Sequence, residues 1–129
     1  MAAAKMKQAV AIIEDNADSR EMLRILLEGF FEIIIFPTAT EALDKIVVEK
    51  PAVVLCDLVM PDLSGIQFIS KLRAQGISIP VIAVTAHVVR EVREKVLAAG
   101  FDAFVPKPIM DMDGLIQLIR RLLDGERAA

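Results

Sequence analysis

Val53-Val-Leu-Cys-Asp-Leu-Val-Met-Pro-Asp-Leu-Ser-Gly65 is the stretch on which the reading of this chain turns. Four apolar residues run straight into the carboxylate of Asp57, and a Pro-Asp-Leu-Ser-Gly turn follows at once. The apolar run is too short for a helix and shows no polar alternation, so it reads as a strand buried on both faces, as central parallel strands are. Asp57 then stands at the carboxyl end of that strand, where open α/β sheets place their ligands. Taken alone, the stretch fits a solvated Asp in an ordinary turn equally well, and the rest of the chain has to decide.

Working outward, the same pattern recurs. Upstream, Ala9–Ile13 is an apolar run that ends in Glu14-Asp15-Asn16. Asp18-Ser19-Arg20-Glu21 then has the spacing of a capping box, and Leu23, Leu26, Leu27 and Phe30 continue a helical stripe. Residues 33–36 predict a second strand. Thr38 with Glu41 predicts a capped helix whose inward face is Leu43, Ile46 and Val47, closed by Pro51. Downstream, Ser64 with Gln67 opens a third helix carrying Ile69 and Leu72 and stopped by Gly76. Residues 80–84 predict a fourth strand, followed by Thr85-Ala86-His87 and a charged helix with Val92 and Val96 facing in, up to Gly100. Residues 102–105 predict a fifth strand that ends in Pro106-Lys107-Pro108, and a last helix from about Asp111 buries Leu115, Ile119 and Leu122. Five strands alternating with five helices demand a parallel sheet covered on both faces, because each crossover is right-handed. The predicted fold is α/β and flavodoxin-like, a doubly wound five-stranded parallel sheet of order 2-1-3-4-5.

Composition narrows the class. The 129 residues suit one domain, expected over residues 8–123, with flexible termini at 1–7 and 124–129 and no output domain. A net charge of -3 without a run of like charges offers no nucleic-acid footprint. The single cysteine, Cys56, cannot form an internal disulfide and reads as a small buried apolar residue. No apolar run approaches the roughly 20 residues that span a bilayer, and the start lacks a secretory apolar region. A cytoplasmic protein is expected.

In the order 2-1-3-4-5, strands one, three, four and five are neighbours, and their carboxyl ends deliver Glu14 and Asp15, Asp57, Thr85 and Lys107 to one pocket. Three carboxylates crowded together repel unless cations relieve them. The Lys107 ammonium is one, and the all-oxygen donor set favours Mg²⁺ as the other; a zinc site would need a second histidine or cysteine that the chain lacks. A carboxylate beside Mg²⁺ and a lysine is equipped to attack phosphorus. Asp57 is the candidate nucleophile, Lys107 stabilises charge on the phosphoryl oxygens, and Thr85 donates a hydrogen bond to one of them.

Glu14-Asp15, Asp57 in Asp-Leu-Val-Met-Pro-Asp-Leu-Ser-Gly, Val-Thr85-Ala and Lys107-Pro108, in this order, resemble the receiver domain of two-component response regulators, and the likeness runs from about Gln8 to Leu123. The resemblance implies that Asp57 accepts a phosphoryl group from a phosphohistidine on a histidine kinase or histidine phosphotransfer protein. It implies Asp15, Asp57 and the backbone carbonyl of Val59 as Mg²⁺ ligands, with Glu14 acting through a water. Thr85 and Phe104 correspond to the family's switch pair, hydroxyl toward the phosphoryl group and ring turning inward. Val59 and His87 fall where the family tunes the access of water to phosphorus, and a cis Lys107-Pro108 bond is usual there.

The chain also departs from the common pattern. Glu14 stands where Asp is commoner, Phe104 has no hydroxyl, position 59 is apolar, and Pro37-Thr-Ala-Thr lacks the usual Asn-Gly. The expected output is a protein contact through the fourth helix, fifth strand and fifth helix, by a monomer or weak homodimer. Arg90, Arg93, Lys95, Arg120 and Arg121 on those helices fit a solvated charged face equally well. Three other readings compete. A Mg²⁺-dependent phosphatase with an Asp nucleophile would want a second Asp at position 59. A flavodoxin-like FMN site would want a Ser/Thr-rich first loop in place of an acidic one. A phosphorylation-independent scaffold would have no use for the intact acids, Thr85 and Lys107.

Overall fold

The computed structural model describes residues 8–86 and 90–125. The elements run β1 (Ala9–Ile13), α1 (Ala17–Leu27), β2 (Glu32–Phe36), α2 (Ala39–Glu49), β3 (Val53–Asp57), α3 (Gly65–Ala74), β4 (Val81–Thr85), α4 (Arg90–Ala99), β5 (Ala103–Pro106) and α5 (Met112–Leu123). All strand pairs are parallel and the sheet order is β2-β1-β3-β4-β5, as the sequence predicts. The fourth and fifth strands sit one residue later than their apolar runs suggest, so that Thr85 and Pro106 still belong to the sheet.

Alternate residues of each strand feed two separate cores. Ala11, Ile13, Val54, Cys56 and Ala83 point to one face, where Ala42 and Ile46 of α2, Phe68, Ile69 and Leu72 of α3 and Val96 of α4 cover them. Val10, Ile12, Val53, Leu55 and Ile82 point to the other, under Leu23 and Leu27 of α1 and Leu115, Ile119 and Leu122 of α5. Burial on both faces is why these strands are continuous apolar runs. Among the described residues no helix is long and apolar enough to cross a membrane.

The helix starts follow from their caps. The Ser64 side chain accepts from the Gln67 N–H while the Gln67 side chain accepts from the Ser64 N–H, the reciprocal capping box predicted for α3. Thr38 caps α2 through the Glu41 N–H, also as predicted. In α1 the cap is Asn16, which accepts from the Ser19 N–H, and not Asp18, which lies inside the first turn. Asn16 wins because its own backbone is extended, with φ -81 and ψ 119, whereas the following residues are already helical.

Two helical faces differ from the periodicity reading. α1 ends at Leu27, so Leu26 and Phe30 stay largely exposed and Phe31, outside the helix, takes the buried place. In α2 the inward face is Ala39, Ala42 and Ile46; Leu43 is only partly buried and Val47 is exposed. With Ala39, Ala42 and Ile46 on the buried face, Val47, next to Ile46 in the helix, falls on the exposed side.

Opposite the carboxyl rim, Arg73 at the end of α3 ties four segments together. Its guanidinium donates to the carbonyls of Ile77, Ile79 and Gly100 at 2.8–3.3 Å and to Asp102 Oδ2 at 2.9 Å. Asp102 Oδ2 also accepts the Val81 N–H. Replacing Arg73 by Ala removes the guanidinium donors from three carbonyls and from the partly buried Asp102 carboxylate, which keeps the Val81 N–H. The expected loss is about 2–4 kcal/mol of unfolding free energy, read as a lower urea midpoint at unchanged slope; a midpoint within error of wild type would show that the clasp is solvated.

Candidate functional site

The acidic end of β1 is held from three directions. Glu14, which immediately follows β1, is 3 % exposed and donates its N–H to the Phe36 carbonyl of the edge strand. Its Oε2 accepts from the Asn16 N–H at 3.2 Å. Arg20, one turn into α1, reaches back to the carbonyls of Glu14 and Asp15, both at 3.0 Å, and so fixes the loop that carries the two acids.

Asp57 closes β3, and its position depends on a missing side chain. The Gly65 N–H donates to the Leu58 carbonyl at 2.9 Å, folding the loop after Asp57 back against the start of α3. A Cβ on Gly65 would meet the Asp57 carbonyl oxygen at 2.8 Å and the Leu58 Cα at 2.9 Å, both backbone atoms that cannot step aside. The Asp57 carboxylate itself accepts from the Val59 N–H at 3.1 Å through Oδ1 and from Lys107 through Oδ2. Farther along the loop, exposed Asp62 accepts the Thr40 N–H at 3.0 Å and so tethers the turn to α2; the hydrogen bonding at Thr40 holds its carboxyl below the usual range.

Lys107 is the centre of the arrangement. Its Nζ lies 2.7 Å from Glu14 Oε1 and 2.7 Å from Asp57 Oδ2, closing a span of 93 residues in one direction and 50 in the other. The lysine reaches this position just past β5, its N–H donating to the Thr85 carbonyl at 2.8 Å and its peptide to Pro108 in the cis form. Burial opposes the ammonium, yet the bonds to Asp57 and Glu14 outweigh it and hold the Lys107 pKa above the ordinary 10.5. Burial pushes the Glu14 carboxyl above its ordinary 4.5, with the Asp57 charge adding to the rise, and the Lys107 and Asn16 hydrogen bonds offset this only in part. Burial likewise pushes the Cys56 thiol up, which leaves it inert beside the site.

Glu14, Asp15 and Asp57 each present one carboxylate oxygen such that all three lie within 4.8 Å of one another. Opposite ligands on an octahedral Mg²⁺ are about 4.2 Å apart, so the donor set fits such an ion with one acid acting through a water. Thr85 is 1 % exposed and follows Val84, the register partner of Asp57, so it stands at the same rim. Phe104 is paired with Ala83, two residues before Thr85 on the same sheet face, and packs partly buried against that core. Val59, two residues after Asp57, is 64 % exposed. His87 lies outside the described residues. An apolar pocket of about 240 Å³, lined by Ser19, Met22, Leu23, Pro108 and Ile109, opens beside Glu14 and Lys107.

Asn16, Arg20 and the Asp62 tether were not singled out by the sequence reading. A polar residue directly after two acids, and an arginine one turn into the next helix, are the marks that would have pointed to the first two.

The chain belongs to the response regulator receiver family, whose domain model matches residues 10–120. Response regulator Rre1 of Synechocystis sp. is 35% identical over 125 residues, covering 94% of this chain and 54% of that protein. The polar-differentiation response regulator DivK of Brucella anthropi is 34% identical over 107 residues, covering 81% of this chain and 87% of that one. The chain thus spans about half the length of several curated relatives, Rre1 among them. In fold it is similar to the receiver domain of the sensor histidine kinase PA1611 from Pseudomonas aeruginosa PAO1, with a TM-score of 0.83 and 23% identity over 92% of this chain and 99% of that one. That protein carries a magnesium ion in its active-site cleft.

The two raised pKa values both make stability fall with rising pH, in separate windows. Between 4.5 and the raised Glu14 value the folded state binds more protons than the unfolded chain, so this carboxyl makes stability fall as pH rises through that window. Lys107 contributes stability that is complete below 10.5 and lost as pH rises through its raised value. In chelator-treated protein, Glu14→Gln is therefore expected to gain stability relative to wild type as pH climbs from below 4.5 to neutrality, measured by urea denaturation. A difference that stays flat over that range would mean the carboxyl is not desolvated.

Proposed function

We propose that this receiver domain is a phosphoryl-operated switch in which Asp57 accepts a phosphoryl group from a phosphohistidine on a histidine kinase or phosphotransfer protein. The observation that carries this reading is the single ammonium of Lys107, 2.7 Å from both Glu14 and Asp57, with Asp15 completing the acidic cluster. An Asp57 carboxylate oxygen forms the new bond to phosphorus, the P–N bond breaks, and its electron pair returns to the donor imidazole. Lys107 is placed to follow the negative charge, turning from the Asp57 oxygen it now holds to a phosphoryl oxygen. The Thr85 hydroxyl donates to another phosphoryl oxygen, and its movement opens room for the Phe104 ring to turn inward.

Asp15, Asp57 and the Val59 carbonyl would hold Mg²⁺ directly, with Glu14 acting through a water. The ion, when bound, supplies positive charge that offsets the three carboxylates and the incoming phosphoryl oxygens. The apolar pocket bounded by Met22 and Ile109 offers the donor protein a surface beside the acceptor. Val59 cannot act as a general acid or base, so the chemistry ends at the acyl phosphate and its slow hydrolysis; the protein is a switch and not a turnover enzyme. The phosphorylated form signals through a protein contact on the face of α4, β5 and α5.

Acetyl phosphate with Mg²⁺ is expected to add one phosphoryl mass to the intact chain, and Asp57→Asn to abolish it. Lys107→Ala is expected to retain Mg²⁺ binding while slowing adduct formation by at least about tenfold. Adduct persisting in Asp57→Asn would move the acceptor elsewhere, and steady multiple turnover of small phosphate esters would replace the switch with a phosphatase.

A further inference from the structure

β2 is the outermost strand and pairs with β1 alone among the described strands. The Glu32 N–H donates to the Gln8 carbonyl and the Phe36 carbonyl accepts from the Glu14 N–H. By the alternation of a parallel ladder, residues 32, 34 and 36 therefore turn their polar groups toward β1, and Ile33 and Ile35 turn theirs outward. Among the described residues no backbone group answers them. Ile33, Ile34 and Ile35 are only half-buried, whereas the middle residues of β3 and β4 are buried.

The two edges of the sheet are treated differently. β5 is four residues long and ends in Pro106, which blunts pairing. β2 has five residues, neither proline nor lysine, and a single charge, Glu32, at its start. Pro37 follows at the next outward position and ends the edge there, but the outward groups of Ile33 and Ile35 between Glu32 and Phe36 stay open as a template for another strand.

We propose that this edge is a contact between two copies of the chain, their β2 strands pairing antiparallel about a two-fold axis at Ile34 and joining two sheets into one. In that register Ile33 faces Ile35 of the partner subunit, and each such pair exchanges both backbone bonds because both residues present outward groups. Sliding by one residue opposes outward groups with inward ones and loses the bonds. Ile34 then faces its own counterpart at the close, non-hydrogen-bonded spacing, where β-branched side chains pack well. Glu32 falls opposite Phe36, so the two carboxylates sit at opposite ends of the ladder and do not repel. A second copy is the natural occupant because the strand reads as its own complement in the reverse direction. The contact leaves the carboxyl rim open, since β2 delivers none of Asp15, Asp57, Thr85 or Lys107 to it.

The test uses the full chain, with mass followed by sedimentation over a concentration series. Doubling of the mass with concentration is expected. Ile33→Pro, which removes an outward donor and spares the ladder to β1, should weaken the dimer about tenfold or more. Under mild oxidation Ile34→Cys should cross-link to itself, whereas Ile33→Cys, which faces position 35 and not itself, should not; the buried Cys56 leaves wild type without a link. If Ile33→Pro fails to fold by circular dichroism, the two cysteine variants decide alone. A monomer at every concentration with no excess linking of Ile34→Cys overturns the proposal. A dimer untouched by Ile33→Pro that links equally through both cysteines places the contact elsewhere and overturns it too.

Discussion

A single ammonium between two carboxylates organises the molecule. Lys107 reaches Glu14 and Asp57 at 2.7 Å each, and through them it ties the end of β5 to the ends of β1 and β3. Removing either acid would leave the other to hold a partly buried cation, and removing the cation would leave three acids within 4.8 Å of one another. The arrangement is therefore stable only as a set, and any anion or metal that enters must compete with bonds already made. Competition of this kind is what allows a rim to be rearranged by the arrival of charge, with no need for a new scaffold.

The scaffold that makes this possible is asymmetric along the strands. At the amino end, the Arg73 guanidinium and Asp102 pin α3, the loop into β4 and the turn into β5 by bonds to backbone carbonyls and an N–H. At the carboxyl end the central contacts, Lys107 to Glu14 and to Asp57, are side chain to side chain, from groups whose charge can be redistributed. Between them lie two dry cores that fill alternate faces of every strand. A base fixed through the backbone thus lies beneath a rim of charged side chains.

Much of this was legible in the sequence because the signals are local. An apolar run followed by an acid, a hydroxyl or a lysine marks a strand end with its cargo, and four such ends bring Glu14, Asp15, Asp57, Thr85 and Lys107 to one rim on the strand order alone. The Ser64–Gln67 cap and the strand order were equally plain. What misled was periodicity without boundaries: the α1 stripe was carried on to Phe30 although the helix stops at Leu27, and the alanines of α2 were passed over because small residues do not advertise burial. Arg73 left no trace, since most of its bonds go to backbone carbonyls and a carbonyl has no letter in the sequence, while Arg20 is marked only by its place one turn into α1. Asp62 looked like a turn residue and is one, but its partner is the N–H of Thr40, distant in the chain.

Gly65 carries a consequence of an evolutionary kind. The chain can vary the composition of the loop between Asp57 and α3 only if whatever returns to the strand end there has no side chain, because a methyl group would overlap the backbone of Asp57 and Leu58. Drift in this loop is thereby confined to the residues between, and a lineage that lost the glycine would have to re-thread the entrance to α3 in the same step. An empty space the size of one carbon acts as a filter on which residues can surround Asp57.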